Sequence, residues 1–219
     1  TDTIYYPPAP DLPRLQFLLS LSDMTDWAEN KSSFADFVVG GDANPQGEIK
    51  APYGVGLHNG KLYICDVGLG KVHVVDLVNK GFTQLGTPGQ LSKPVNITID
   101  SDGTKYVCDT NARRVVVFDA NDKFVRNLGN STTCNPIDMA ILGDEFIVVD
   151  IGEDEVEAWS RDGTFLRHIA RKGPGPGQLA RPTSVDVSSD GKIYVTDTFA
   201  QIINFYNVKG AYTGYVGAP

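Results

Sequence analysis

The sequence contains few of the residues that most often carry catalysis or bind metals. Its 219 residues include only three histidines and three cysteines. Cys65, Cys108 and Cys134 form no Cys-x-x-Cys pair, no Cys/His spacing resembles a zinc site, and an odd number leaves at least one cysteine without a partner in the chain. Cys65 and Cys108 each precede an Asp in matching segments, so we predict that both are buried packing residues.

Positive charge and long apolar runs are also scarce. The chain has 19 Lys and Arg against 27 Asp and Glu, which gives a net charge of −8. Because a protein that neutralises phosphates needs clustered positive charge, we predict no nucleic-acid partner. No run of about 18 apolar residues occurs, so we predict no transmembrane segment.

Glycine and proline are abundant, with 23 and 13 residues, which indicates many turns. Four segments share one plan, in which a proline starts one strand and an aspartate ends the next. The prolines lie 42 to 46 residues apart and are Pro52, Pro94, Pro136 and Pro182. The aspartates lie 41 to 47 residues apart and are Asp66, Asp109, Asp150 and Asp197. Two independent landmarks with one period indicate an internal repeat.

Within each repeat the apolar residues alternate with period two, which is typical of strands. Polar turns such as "DSDGT" and "SSDGK" separate the strands, because Gly and Asn tolerate positive φ. Four short antiparallel strands in about 42 residues is the size of a propeller blade. We therefore predict an all-β propeller, in which neighbouring blades stack around an axis.

The repeats resemble the NHL-repeat family of six-bladed β-propellers. "YVCDTNARRVVVFD" and "IYVTDTFAQII" are similar to its signature, and "GPGPGQLARPTSVDV" is similar to its inter-blade loop. The resemblance covers residues 51–217, but Glu155 stands where the second repeat has Arg114. It implies the fold and not the function, because sites are added to the ends of the blades.

The predicted domain organisation has one non-repeating part and four blades. Residues 1–13 are a Pro-rich lead-in without strand pairing, and residues 14–50 supply the outer strands of a closing blade. The blades are predicted at residues 51–92, 93–134, 135–180 and 181–219. A six-bladed ring would need about 65 further residues at this repeat length. The lead-in suits a tether, which favours a bacterial exported or cell-surface protein.

Two sets of residues invite a chemical role, and we expect neither to have one. His58, His73 and His168 occupy different positions of their repeats, so the ring symmetry does not bring them together as a metal triad. The four repeated aspartates end strands before turns, where a carboxylate can accept backbone N–H bonds, so we interpret them as structural. We predict no catalytic residue, no metal and no cofactor.

The rim and the axial channel are the predicted ligand-binding region. First strands of successive blades bring matched positions together around the axis, and a varied set of polar residues occupies them. The residues directly before the prolines are Lys93, Asn135 and Arg181, and those two after are Asn96, Asp138 and Ser184. A solvated rim without a ligand is the other interpretation.

We therefore predict a non-catalytic binding or scaffolding module for a protein or small ligand. The alternative is a metal-dependent lyase or lactonase-like hydrolase of the six-bladed class.

A further prediction concerns the core: the residue at one position of the third strand should pack between neighbouring blades. Its occupants are Val75, Phe118, Trp159 and Tyr206.

Overall fold

The computed structural model describes residues 5–6, 12, 15–16, 20–21, 48–129 and 134–218, in two units that divide after Ile49. In the first unit, β1 (Tyr5–Tyr6) pairs antiparallel with β2 (Leu15–Gln16). The prediction that the lead-in forms no strand pair was therefore wrong for Tyr5 and Tyr6. The two tyrosines precede the prolines and keep the backbone N–H groups that strand pairing needs. The outer strands predicted in residues 14–50 otherwise lie outside the described residues.

The second unit contains four antiparallel four-stranded sheets, each with its strands in chain order. Blade 1 comprises β3 (Pro52–His58), β4 (Lys61–Asp66), β5 (Lys71–Asp76) and β6 (Gly81–Gln84). Blade 2 comprises β7 (Pro94–Ile99), β8 (Lys105–Asp109), β9 (Arg114–Phe118) and β10 (Phe124–Leu128). Blade 3 comprises β11 (Pro136–Leu142), β12 (Glu145–Asp150), β13 (Glu155–Ser160) and β14 (Phe165–Ala170). Blade 4 comprises β15 (Pro182–Val187), β16 (Ile193–Asp197), β17 (Ile202–Tyr206) and β18 (Tyr212–Gly217).

These sheets are arranged as a β-propeller, so the predicted fold class is confirmed. Each repeated proline starts a first strand and each repeated aspartate ends a second strand. The first strands of successive blades contact one another, β3 with β7, β7 with β11 and β11 with β15. Thr98 donates from its hydroxyl to the Met139 carbonyl at 2.5 Å across one of these junctions. The six-bladed ring stays a prediction.

The repeated aspartates fasten the start of each blade. In blade 2 the buried Asp109 carboxylate accepts the backbone N–H of Ser92 at 3.1 Å and of Lys93 at 2.7 Å. Thr110, directly after the aspartate, returns a backbone N–H to the Lys93 carbonyl at 3.1 Å. In the other blades too, the backbone N–H of the residue before the proline donates to the repeated aspartate. The pairs are Ala51 with Asp66, Asn135 with Asp150 and Arg181 with Asp197. The structural interpretation of these aspartates is confirmed.

Apolar clusters fill the space between neighbouring blades. Phe118, Trp159 and Tyr206 each belong to a cluster shared with the preceding blade. They are at most 3% exposed, so the predicted packing between blades is confirmed for these three. Val75 at the matching position is fully buried, and its packing between blades stays a prediction. Trp159 lies over Gly129, where a Cβ would come within 3.0 Å of the ring and where φ is +92°. Glycine is needed there both for the backbone and for the close approach.

Cys65, Cys108 and Cys134 are all buried and free, as expected for packing residues. Burial raises the pKa of the Cys65 thiol above its ordinary range. For Cys108 burial is again the main cause, and its pKa lies well above the ordinary value. Both thiols are therefore held in the neutral form, which is poorly nucleophilic.

A buried charge joins the first two blades at the end of the sheets away from the repeated prolines and aspartates. Lys105 is 1% exposed, lies 2.6 Å from the Asp122 carboxylate and donates to the Asp119 carbonyl at 3.0 Å. Asp122 also accepts bonds from Lys61 and Tyr63 of blade 1, each at 2.9 Å. The lysine is therefore neutralised and hydrogen-bonded, which a buried charge requires.

Candidate ligand cleft and axial network

The predicted site residues lie at one end of the sheets, which we call the proline face. It is the end where the first strands begin, and it also carries the turns between second and third strands. Among the described residues, this face holds two polar arrangements, a network near the axis and a cleft between blades 3 and 4. No helix in the described part of the chain is long and apolar enough to cross a membrane.

Asp138 is the centre of the axial network. Its carboxylate is 4% exposed and accepts a bond from the Asn96 side-chain amide at 2.6 Å and another from the Ser184 hydroxyl at 2.6 Å. The backbone N–H groups of Met139 and Val185 donate to it at 2.8 and 2.9 Å. Burial is the largest influence and raises the pKa of Asp138, while these four bonds oppose it.

The network brings together three of the six predicted site residues, from blades 2, 3 and 4. Their polar groups are bonded to one another, so they hold the first strands together, although Ser184 stays exposed. In blade 1 the matching residue is Gly54, where a Cβ would overlap the Asn96 side-chain oxygen. Glycine therefore makes the room into which Asn96 fits.

The other three predicted residues are tied through their main chains, and only one of them joins a cleft. Lys93 is exposed and Asn135 half-buried on the proline face. Arg181 lines a cleft of about 640 Å³ together with Asp154, Lys172 and Leu179. The cleft is formed by the turn before β13, the loop between β14 and β15, and the turn after β16 that carries the exposed Phe199.

Asp154 carries the charge at the base of the cleft. It has a left-handed φ of +54° in the turn between β12 and β13, and its side chain is 8% exposed. Lys172 donates to one carboxylate oxygen, Oδ2, at 2.6 Å. The other oxygen, Oδ1, lies 3.6 Å from a guanidinium nitrogen of Arg181 and is buried, but it has no hydrogen-bond partner within the described part of the chain. A free acceptor is thus held between two cations.

The cleft combines three kinds of contact. The Lys172 and Arg181 side chains are 66% and 54% exposed, so their charges can meet a ligand. Phe199 is 82% exposed and supplies apolar surface beside them. Of these residues only Arg181 was predicted as a site residue from the sequence. The basic residues that flank the loop "RKGPGPGQLARP" are the signal that could have pointed to the rest.

The histidines lie in three different surroundings. His58 contacts the Asn59 amide, and buried His73 lies 3.1 Å from the Asp66 carboxylate. Burial is the main cause that lowers the pKa of His73. His168 on β14 lies beside Glu155 and Glu157 of β13, a grouping that was not predicted from the sequence. The sequence does contain a signal for this grouping: two glutamates lie two residues apart on a predicted strand, at positions where the other repeats have different residues.

Comparison with known proteins supports the fold. No protein-family model matches the chain and no curated protein matches it, so the NHL resemblance stays a prediction. The structure of streptogramin B lyase is similar, with a TM-score of 0.63, 15% identity, and coverage of 77% of this chain and 55% of that one. An inactive virginiamycin B lyase from Staphylococcus aureus, solved with quinupristin, is similar with a TM-score of 0.65 and 17% identity. That match covers 80% of this chain and 58% of the lyase.

A gluconolactonase from Xanthomonas campestris is also similar, with a TM-score of 0.63, 17% identity, and coverage of 77% of this chain and 62% of that one. The chain therefore spans between 55% and 62% of the length of these three structures. At such identities the similarity shows a shared propeller fold, and function has to be argued from the site.

Proposed function

We propose that this propeller is a binding module for a small hydroxylated acid, held on the proline face in the cleft between blades 3 and 4. The observation that carries the proposal is the Asp154 oxygen between two exposed cations, which has no hydrogen-bond partner among the residues that the structure describes. A buried acceptor without a donor costs free energy, and a ligand hydroxyl would remove that cost.

The chemistry of the lining defines the ligand class. Lys172 and Arg181 together outweigh the single carboxylate of Asp154, so the cleft favours an anionic group although the chain as a whole has a net charge of −8. A guanidinium matches a carboxylate in shape as well as in charge. Phe199 offers a flat apolar surface on which the C–H groups of a polyhydroxylated carbon chain can pack. Few convergent polar groups beside apolar surface are typical of small-molecule sites.

Sodium gluconate is a suitable probe, because it carries a carboxylate, several hydroxyls and C–H surface. We expect calorimetry and saturation-transfer NMR to give saturable binding with a Kd of about 1 mM or tighter. Arg181→Ala and Phe199→Ala should each weaken it about tenfold, a loss of about 1.4 kcal/mol. Lys93→Ala is the matched control, because Lys93 holds the same position before a proline outside the cleft.

The control should bind gluconate like the wild type. Absence of saturable binding would contradict the ligand class, and an equal loss in Lys93→Ala would show that general charge is responsible. A loss confined to the two cleft variants would support the proposal.

The alternative is a metal-dependent lyase or lactonase-like hydrolase, and the fold shared with lyases and a gluconolactonase supports it. Gluconate and its lactone together distinguish the binding module from the enzyme. If gluconolactone is hydrolysed faster than its spontaneous rate only when a divalent cation is present, the protein is an enzyme. If gluconate binds and the lactone decays at its spontaneous rate with Ca²⁺, Mg²⁺ or Zn²⁺, the binding module is favoured.

A further inference from the structure

Three side chains with metal-binding groups share one face of the outer strands of blade 3. Glu155 and Glu157 are two residues apart on β13, so they point to the same side of the sheet. Glu157 is paired directly with His168 on β14. The nearest ligand atoms of the three residues all lie within 4.8 Å of one another.

Two irregularities in β14 determine how His168 is presented. The register between β13 and β14 shifts on each side of the Glu157–His168 pair, which leaves Ile169 and Leu166 without a paired residue. Such bulges re-aim the neighbouring side chains and are frequent beside binding sites. The ring of Phe165 lies 4.8 Å from the His168 ring and limits its rotation. The imidazole is therefore held facing the two glutamates.

The imidazole nitrogen nearest to the glutamates is unsatisfied. Nδ1 of His168 is a buried atom and makes no hydrogen bond to any residue that the structure describes, although Glu155 Oε2 lies 2.7 Å away out of hydrogen-bonding alignment. Arg171 offers Glu155 little compensation, because its Nε lies 3.9 Å from Glu155 Oε1. Two carboxylates and an unbonded imidazole nitrogen thus converge, and one cation could satisfy all three.

A hydrogen bond from Trp159 orients the Glu157 carboxylate. Its Oε2 accepts a bond from the indole nitrogen of Trp159 at 2.7 Å, which leaves Oε1 for a further partner. Metal-binding carboxylates in proteins are commonly hydrogen-bonded in this way, and the second bond fixes their direction. Trp159 itself is 3% exposed and held between blades 2 and 3.

We propose that Glu155, Glu157 and His168 form a binding site for a divalent transition-metal cation such as Zn²⁺. Imidazole nitrogen and carboxylate oxygen are both ligands of Zn²⁺, with bonds of about 2.0–2.2 Å. A tetrahedral ion of this size holds its ligand atoms about 3.4 Å apart. Glu155 and His168, now 2.7 Å apart, would therefore have to separate slightly, and any pair of ligand atoms near the 4.8 Å limit would have to move closer together. Water would complete the coordination. The bound ion would join the third and fourth strands of blade 3, and the site does not depend on the ligand cleft.

Trp159 provides the signal for the test, because its indole bond to Glu157 would change when an ion binds. The chain has two tryptophans, so the experiment uses a Trp27→Phe background, with Trp27 outside the described residues. After removal of metals with a chelator, Zn²⁺ alone is titrated. We expect a saturable change in emission, one ion per chain by calorimetry, and a higher melting temperature with Zn²⁺.

His168→Gln and Glu157→Gln should each weaken Zn²⁺ binding by about tenfold or more. Glu153→Gln is the matched control, since it removes the same charge from an exposed turn residue just before β13. Unchanged affinity in the first two variants, or an equal loss in Glu153→Gln, would overturn the proposal. If a site variant does not fold, the zinc X-ray absorption edge of the wild type decides: a mixed imidazole and carboxylate shell supports the site, and a fully hydrated ion refutes it.

Discussion

Replacing Asp138 by asparagine tests whether the axial network holds neighbouring blades together. Asparagine keeps the shape of aspartate but turns one carboxylate oxygen into an NH₂ group, which cannot accept a hydrogen bond. In either orientation the NH₂ faces one backbone N–H, that of Met139 or that of Val185. The Asn96 amide and the Ser184 hydroxyl can reorient, whereas a backbone N–H cannot.

The expected cost follows from that one orphaned donor. A buried N–H without a partner costs about 1–3 kcal/mol, and the bonds that remain lose their charge assistance. We therefore expect Asp138→Asn to lower the free energy of unfolding by about 2 kcal/mol. For a chain of this size, that corresponds to a fall in melting temperature of about 4–8 °C.

Urea unfolding followed by far-UV circular dichroism measures this difference. Asp186→Asn is the control, because Asp186 lies exposed on β15 and accepts a bond from the adjacent Val187 N–H at 2.8 Å. The control should change the free energy of unfolding by less than about 0.5 kcal/mol. If Asp138→Asn unfolds at the same urea concentration as the control, the network does not stabilise the blades and the reasoning fails.

Two further predictions concern the packing and the buried charge. Trp159→Ala should cost about 3–5 kcal/mol in urea unfolding, as for large aromatic residues in cores, while the exposed Phe199→Ala should cost under about 1 kcal/mol. Equal costs would contradict the inter-blade packing. Burial is the largest influence on Asp122 and would raise its pKa, but hydrogen bonds, led by that from Lys105, outweigh it and lower the pKa. The stabilisation is therefore complete above the unfolded-state pKa of about 3.9 and is lost as the pH falls through the lower folded-state value. Asp122→Asn should accordingly unfold more easily than the wild type at about pH 6, and the difference should shrink below about pH 4; a constant difference would refute this.

The blades could be predicted because their information is local. Alternation with period two gives the strands, and a proline at the start and an aspartate at the end give their limits. The role of the aspartates was also predictable, because a carboxylate before a turn has backbone N–H groups within reach. Lys105 shows the limit of such reasoning. Its neighbours in the sequence, Thr104 and Tyr106, carry no charge, and no nearby residue indicates that Asp122 neutralises it.

The candidate sites were less predictable because they depend on register and on loop conformation. Asn96, Asp138 and Ser184 were grouped correctly by their position after the prolines, but their mutual bonds required the real spacing of the strands. The pairing of Glu157 with His168 depends on two register shifts that no residue pattern indicated. The cleft depends on the conformation of one glycine-rich loop, whose residues offer many backbone conformations.

The aspartate fastenings have a consequence for the kinetics of folding. The bonds from Lys93 to Asp109 and from Arg181 to Asp197 each close a loop of 16 residues within one blade, whereas the axial bonds of Asp138 join residues 42 and 46 apart. Short-range contacts form sooner, because less chain entropy is lost before they are made. Each blade can therefore complete its own first strand before its neighbour arrives. We therefore expect contacts within a blade to form before contacts between blades, so that the axial bonds act late, by slowing the separation of neighbouring blades.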